Sequence, residues 1–379
     1  MRESPLKDTS RSRSALKFFF IHQFFFRTAR MKVYEEEVQR LCRWVFSSPI
    51  RWRPAHRVSD RYDINRRPGP IYWSGPLGFF LRGMVVGVRE KKTVLVSGAS
   101  TGIGRATVMR LAARGHRVFA GVRREADADS LREDAGGLEG GGALEPIQLD
   151  VTLPEDIASA VELIKGEGLE LDGLVNNAGV VVASPLEVLP IDELRRQFEV
   201  NLFSHAQMIQ AFTPSLRVSK GRIINMSSVA GRIANPFMGA YCASKFALEA
   251  YSDALRMELA PWGIRVLLVE PGPIKTPIWD KSSAAAKELQ GSMDLERLSL
   301  YSDGIERMKQ VAELSVRVAP EASKVARCVS HALESALPRR RYPVGRFMHL
   351  QLYAGLLAPH AVRDWATGHV MRWRRGSLS

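Results

Sequence analysis

The sequence predicts an α/β fold, a doubly wound parallel sheet flanked by helices on both faces, in a single domain behind an irregular N-terminal extension. Short apolar runs recur between Thr93 and Val269 and are separated by helix-length stretches, the alternation that a parallel sheet covered on both faces requires. A glycine-rich turn, Gly98-Ala-Ser-Thr-Gly102-Ile-Gly104, follows the first of those runs. The 379 residues are 45% hydrophobic and 25% charged, which describes a globular chain and excludes a fibrous or wholly disordered one.

The elements follow in order. Thr93–Ser97 reads as a buried strand, and Ile103–Arg114 as a helix with apolar residues at 103, 106, 108, 111 and 112. Gly115 is placed to end that helix. Arg117–Val122 reads as a second strand and Pro146–Leu149 as a third. Leu174 and Val175 form the core of a fourth, with Arg222–Met226 and Ile264–Val269 as fifth and sixth. Such a sheet binds ligands beyond the carboxyl ends of its strands.

The extension reads differently. Residues 1–83 hold 17 Lys and Arg against 7 Asp and Glu, so most of the net charge of +14 lies there, and residues 84–379 are nearly balanced. The apolar run Leu16–Phe26 contains Lys17 and is far shorter than the roughly 20 residues of a membrane span. No small-residue cleavage site follows it, because Arg27-Thr-Ala-Arg30 comes next. A transit peptide, an arm for acidic partners and a plain disordered or non-native extension all stay open. Met84, directly ahead of the first clear strand, is the expected natural start of the domain 84–379. Nucleic-acid binding is not expected of the balanced domain. Cys42, Cys242 and Cys328 are too few and too scattered for a disulfide framework or a zinc cluster, so no metal is expected and a reducing, cytoplasmic setting fits best.

The turn at Gly98, Gly102 and Gly104 carries the first chemistry. Glycine lets the backbone turn sharply and approach a phosphate, while the amides of Ser100, Ile103 and Gly104 lie at the positive end of the following helix. Turns of this kind also serve plain structure, so the turn alone does not decide. Beyond the second strand, Val122 supplies no acid for a ribose hydroxyl, whereas Arg123 offers a fork of donors suited to a 2′-phosphate. That favours NADP over NAD; the other reading is that Arg123 and Arg124 merely solvate a strand end.

Tyr241 and Lys245 lie one helical turn apart, which puts phenol and ammonium on one face. A tyrosine with an ordinary pKa of about 10 is a poor base near neutrality, and a neighbouring cation favours its phenolate. Asn201 and Ser228 precede them. Read singly, such a Tyr and Lys are helix surface.

Taken together, the glycine turn, Asp150 in Leu-Asp-Val, Asn176-Asn-Ala-Gly179, Asn201, Ser228, Tyr241-x-x-x-Lys245 and Pro271-Gly272 resemble the short-chain dehydrogenase/reductase family across Lys92–Gly345. The resemblance implies a Rossmann-type sheet and a catalytic set of Asn201, Ser228, Tyr241 and Lys245. Tyr241 would be the general acid in carbonyl reduction and the base in alcohol oxidation, and Ser228 would hydrogen-bond the substrate oxygen. Lys245 would lower the tyrosine pKa and hold the nicotinamide ribose, and Asn201 would position a relay water. Asp150 and Val151 would meet the adenine, and Asn177, Ala178 and Gly179 would line the cofactor. Pro271, Gly272 and Thr276 would complete the site, with Thr276 on the carboxamide. Asn176 reads as a structural pin, and Ser97 as a replacement for a threonine of little consequence. Of the pair Ser227-Ser228, only Ser228 has the family spacing to Tyr241. Cys242 reads as a packed helix residue.

The implied activity is an NAD(P)-dependent interconversion of an alcohol and its ketone or aldehyde; the alternative is a non-catalytic NADP-binding sensor on the same fold. Residues 272–315 correspond to the family's variable substrate loop, where Trp279, Met293, Leu298, Leu300 and Met308 would roof an apolar pocket or simply pack a lid helix. The opening of that loop resembles relatives acting on retinoids, steroids and other lipophilic alcohols. The tail 346–379, with Arg363, Arg372, Arg374 and Arg375, would lie on a membrane, cover the sheet edge or meet a second subunit. The family's habit implies a homodimer or tetramer.

Overall fold

The computed structural model describes residues 91–137, 142–291, 293–345 and 357–371, with Leu352 and Gly355. The readings made for residues 1–83 and for the start at Met84 lie outside these, as do parts of the tail 346–379.

Seven parallel strands form one sheet: β1 Thr93–Val96, β2 Arg117–Val122, β3 Ala143–Gln148, β4 Gly173–Asn176, β5 Arg222–Met226, β6 Arg265–Pro271 and β7 Arg341–Val344. Their spatial order is β3-β2-β1-β4-β5-β6-β7. The chain winds outward from β1 in one direction and from β4 in the other, so the order reverses between them, and a crevice opens at that switch.

Successive residues of β1 face opposite layers, as the strand period of two demands. Val94 and Val96 pack with Val108 and Leu111 of α1 (Gly102–Ala113) and Val325 and Val329 of the helix Ala322–Glu334. Leu95 packs on the other face with Ile157, Ile164, Met208, Phe212 and Leu216. These come from the helices Pro154–Gly166 and Ser204–Ser219. In chain order the helices are α1, α2 Glu125–Ala135, α3 Pro154–Gly166, α4 Ile191–Phe198, α5 Ser204–Ser219, α6 Gly239–Glu258, α7 Ile278–Gln290, α8 Leu295–Ser299, α9 Ser302–Arg317, α10 Ala322–Glu334 and α11 His360–Met371.

Gly115 ends α1 in the left-handed region at φ +90°, as its place in the sequence predicts. Two strands match their predicted limits, β2 and β5, and the others shift by a few residues. β7 was not predicted. Its text, Arg-Tyr-Pro-Val, has no clear alternation, and Pro343 cannot donate to a ladder; the strand is tolerated because it is an edge, paired only with β6. No helix among the described residues is long and apolar enough to cross a membrane.

Candidate active site

The crevice floor begins at the glycine turn. Gly98 and Gly102 hold φ of +64° and +58°, where a side chain is strained. The turn is also too tight for one: a Cβ on Gly104 would stand 2.1 Å from the Gly98 carbonyl oxygen. The first turn of α1 carries no acidic side chain, so its amide end faces the crevice with a positive dipole. These features fit a dinucleotide pyrophosphate, which needs close backbone approach and anion-seeking amides.

Neighbouring side chains hold the turn from below. The Ser97 hydroxyl accepts from the amides of Asn177 at 3.0 Å and Ala178 at 3.1 Å. The Asn177 side chain donates to the carbonyls of Ser97 and Gly98, each at 3.0 Å. Asn177 thus braces the glycine turn with its side chain. The Ser97 oxygen ties β1 to the loop after β4, a contact that needs only the hydroxyl a serine shares with threonine. Asn176 donates to Asn225 across β4 and β5 at 3.0 Å, the structural pin expected of it.

That loop is gripped on its other side by a ladder. Gln197 ends α4 region contacts by accepting from the Val182 amide at 2.8 Å and donating to the Val180 carbonyl at 2.7 Å. Asn201, inside a π turn at Glu199–Phe203, accepts from the Val180 amide at 2.9 Å and donates to the Val180 carbonyl and the Ser244 hydroxyl, each at 3.1 Å. His205 donates from Nε2 to the Ala178 carbonyl at 2.8 Å. All three rungs are fully buried. Burial, and then the charge of Lys245, push the His205 pKa down to about 3, so this imidazole is neutral. Gln197 and His205 were missed in the sequence; the signal that could have found them is their placement four residues either side of Asn201 on one helical face.

The residues of the candidate catalytic set converge above this floor. Ser228 caps the 3₁₀ turn Val229–Gly231, accepting from the Ala230 amide at 3.1 Å, and its hydroxyl donates to the Pro271 carbonyl at 3.3 Å. The Tyr241 hydroxyl is hydrogen-bonded to Ser228. Lys245, buried on the same helix, donates to the Met226 carbonyl at 2.8 Å and lies 6.0 Å from the centre of the Tyr241 ring. A Cβ on Gly179 would stand 3.3 Å from Asn201 Oδ1 and 3.8 Å from Lys245 Nζ, so the loop glycine brings amide and ammonium to one spot. The structure therefore gathers Asn201, Ser228, Tyr241, Lys245 and Gly179.

The electrostatics depart from expectation. Burial pushes the Tyr241 pKa up to about 12, with only the Ser228 hydrogen bond opposing, and pushes Lys245 down to about 7. The phenol is not made acidic by the ammonium in this arrangement. Removal from water penalises phenolate and ammonium alike, and the Lys245 head is turned to a backbone carbonyl. Ser227 is also buried but its Oγ has no partner among the described residues, which leaves Ser228 as the serine engaged with Tyr241.

At the adenosine end, the Arg123 guanidinium is 72% exposed and 3.9 Å from Asp150 Oδ2, while Arg124 is paired with Asp127. The other Asp150 oxygen accepts from the Thr152 amide and hydroxyl, and Val151 is buried beside it. Ser100 gives its carbonyl to Arg105 at 3.3 Å, and Ile103 packs into the core. Past β6, the Gly272 amide bonds to Val344, and the Thr276 methyl lies 3.1 Å from where a Gly102 Cβ would be. The segment after β6 thus folds back over the glycine turn.

Tyr241 packs against the buried cluster Val181, Ala230, Met238 and Cys242, an apolar wall that Ala183, Ile278 and Met308 also cover. Burial raises the Cys242 thiol pKa, which suits packing and not nucleophilic attack. Of the predicted roof residues, Met308 joins this wall and Met293 takes a contact from the Ser184 hydroxyl. Trp279 instead donates to the Ile274 carbonyl at 3.0 Å. Leu300, the residue after α8, is 65% exposed and roofs nothing.

Residues 92–287 match the model of the short chain dehydrogenase family. The chain is 36% identical over 259 residues to a 3-amino-tetrahydro-pyrrolizinone reductase of Xenorhabdus hominickii, covering 67% of this chain and 87% of that one. It is 34% identical over 287 residues to human retinol dehydrogenase 16, covering 71% and 85%. A solved short chain dehydrogenase from Burkholderia cenocepacia in complex with NADP matches at TM-score 0.52 and 28% identity, over 71% of this chain and 99% of that one. A 3-oxoacyl-[acyl-carrier protein] reductase from Brucella melitensis with bound NAD matches at 0.53 and 26%, over 73% and 96%. With this fold, this crevice and these relatives, the chain belongs to the short-chain dehydrogenase family of NAD(P)-dependent oxidoreductases.

Proposed function

We propose that the protein is an NADP(H)-preferring reductase of lipophilic ketones or aldehydes, also able to run the reverse oxidation, with Tyr241 as proton donor. The observation that carries this reading is the Tyr241 hydroxyl bonded to Ser228 inside a wall of apolar side chains. A bound nicotinamide dinucleotide would supply or accept the hydride. Gly98, Gly102, Gly104 and the amide end of α1 would hold its pyrophosphate, Gly179 and Lys245 its nicotinamide half, and Thr276 would close over it.

The substrate oxygen would replace the mutual contact of Tyr241 and Ser228, taking one hydrogen bond from each. A phenol whose pKa is about 12 starts fully protonated near neutrality, so it is poised as an acid, which supports the reductive direction. Ser228, held by the Ala230 amide, would turn its one hydroxyl proton from the Pro271 carbonyl to that oxygen and stabilise charge on it. Lys245, with a pKa near 7, is the group through which the lost proton is restored, and Asn201 keeps the loop around it in place. The apolar wall supports a lipophilic substrate, as does the likeness to a retinol dehydrogenase. NADP preference is supported by an exposed Arg123 at the end of β2, with Val122 in place of an acid.

The test is to follow NADPH and NADH oxidation with retinal, steroid ketones and medium-chain ketones. Turnover with a lipophilic carbonyl and NADPH, lost in Tyr241→Phe, is expected. A clear NADH preference overturns the Arg123 argument; tight NADPH binding with turnover indifferent to Tyr241 overturns the enzymatic reading in favour of a sensor.

A further inference from the structure

A second polar assembly joins the catalytic helix to the sheet. Arg341 opens β7, and its guanidinium donates to Glu249 and, at 2.5 Å, to Asp253, both on α6. The same guanidinium donates to Glu270 on β6 at 2.7 Å. Arg232, just past the 3₁₀ turn, reaches that Glu270 oxygen at 3.4 Å. Glu249 and Glu270 are both buried. Each carboxylate sits next to the site: Glu249 is one turn beyond Lys245 on α6, and Glu270 directly precedes Pro271, whose carbonyl receives the Ser228 hydroxyl. Gly231 wedges between these parts, since a Cβ there would stand 3.0 Å from the Lys245 carbonyl, from Ser227 Oγ and from Glu249 Cγ.

The assembly is poorly explained as a device for stability. Three carboxylates meet three guanidiniums, since Arg256 also donates to Asp253 at 3.3 Å, yet Glu249 Oε1, Glu270 Oε2 and Ser227 Oγ are buried with no partner among the described residues. Buried ion pairs contribute little over apolar packing, and unpaired buried oxygens are costly. What the arrangement does supply is geometry. One planar fork spans two elements at once, which a lysine point charge would not do.

We propose that Arg341 is a positioning residue that holds α6 against the end of β6, setting the spacing of Tyr241 on the helix and Ser228 beside the strand. None of its hydrogen-bond partners belongs to the catalytic set. The inference rests on the proton chemistry proposed above.

The test compares full-length wild type with Arg341→Met and Arg341→Lys. Turnover per folded molecule, carbonyl KM, NADPH Kd, the pH profile of kcat and hydrogen exchange across residues 239–250 are measured. The profile is read against the charged groups that bear on the pair: Lys245, Glu249, Asp253 and Arg256 on α6, Glu270 on β6, Arg341 on β7 and Arg232. Arg341→Met is expected to lower kcat by about 10²-fold, the loss that a small misplacement at the reacting atoms gives, with NADPH Kd little changed. The limb of the profile due to Tyr241 moves, and exchange across 239–250 speeds up. Arg341→Lys restores only part of this. Unchanged kcat per folded molecule with an unmoved profile, whatever happens to the melting temperature, overturns the proposal. If Arg341→Met does not fold, Arg341→Met/Glu270→Gln keeps the local charge balance and is judged by the same criteria. Should the wild type prove inactive with NADPH and carbonyls, the functional reading fails by itself. The exchange comparison then decides Arg341: faster exchange in the variant upholds the latch, and equal exchange refutes it.

Discussion

The floor of the crevice and its cover are built in opposite ways. On the floor, Ser97, Asn176, Gln197, Asn201, His205 and Lys245 are all buried; Asn176 bonds the Asn225 side chain on β5, and the others bond backbone groups of the β4 loop or β5. On the cover, α9 buries only Gly304, α8 buries nothing, and Leu295, Leu300 and Leu314 stand in solvent. A floor whose buried side chains are tied by directional hydrogen bonds to fixed groups admits few arrangements. A cover held by scattered apolar contacts admits many, so proton chemistry is fixed on this fold while substrate choice is left to side chains that can vary.

Substitutions should follow this division. The largest effect is expected for Tyr241→Phe, which keeps the wall and removes the proton donor; carbonyl turnover should fall by about 10²- to 10⁴-fold with NADPH binding retained. Equal turnover would break the claim that the floor holds the chemistry. Next is the acid response of the apoprotein. The folded His205 pKa is about 3 and the unfolded value about 6.5, so between them the unfolded chain binds more protons. Stability conferred by keeping His205 neutral is therefore complete above pH 6.5 and lost as pH falls toward 3, by at most on the order of 5 kcal/mol. His205→Gln, which can still donate to Ala178, should flatten that limb in urea melts at a series of pH values; an unaltered slope would remove His205 as its source.

A smaller effect separates the two serines. Ser228→Ala should lower kcat by about 10²- to 10³-fold, whereas Ser227→Ala should leave it nearly intact, and similar losses would show that the pair was wrongly divided. The least effect belongs to the cover: Met308→Ala should raise KM for bulky ketones about fivefold, by roughly 1 kcal/mol of lost apolar contact, at little change in kcat. A matching fall in kcat would mean that the cover takes part in the chemistry after all.

Much of the floor was legible because its signals are local. The glycine spacing and Tyr241-x-x-x-Lys245 lie within single elements, and their geometry follows from a turn or a helical period. The parallel sheet was legible from six apolar runs. What escaped depends on distant groups. β7 was hidden by Pro343 and by its edge position, and Arg341 meets Glu249, Asp253 and Glu270 across 92, 88 and 71 residues of sequence. The raised Tyr241 pKa escaped for the same reason, since a Lys at i+4 is visible in the text and burial is not. Leu300 was misplaced because hydrophobicity alone does not say whether a side chain beyond a short helix is covered.

The ladder of Gln197, Asn201 and His205 carries one more consequence. Its rungs reach the loop Ala178–Val182 only because they share a helical face, and adding or deleting one residue between them would swing every later rung by about 100° around the axis. Val200, Leu202 and Phe203, which lie between the rungs, can be exchanged for other side chains one at a time. The count of residues from 197 to 205 cannot change without releasing the loop from its grip.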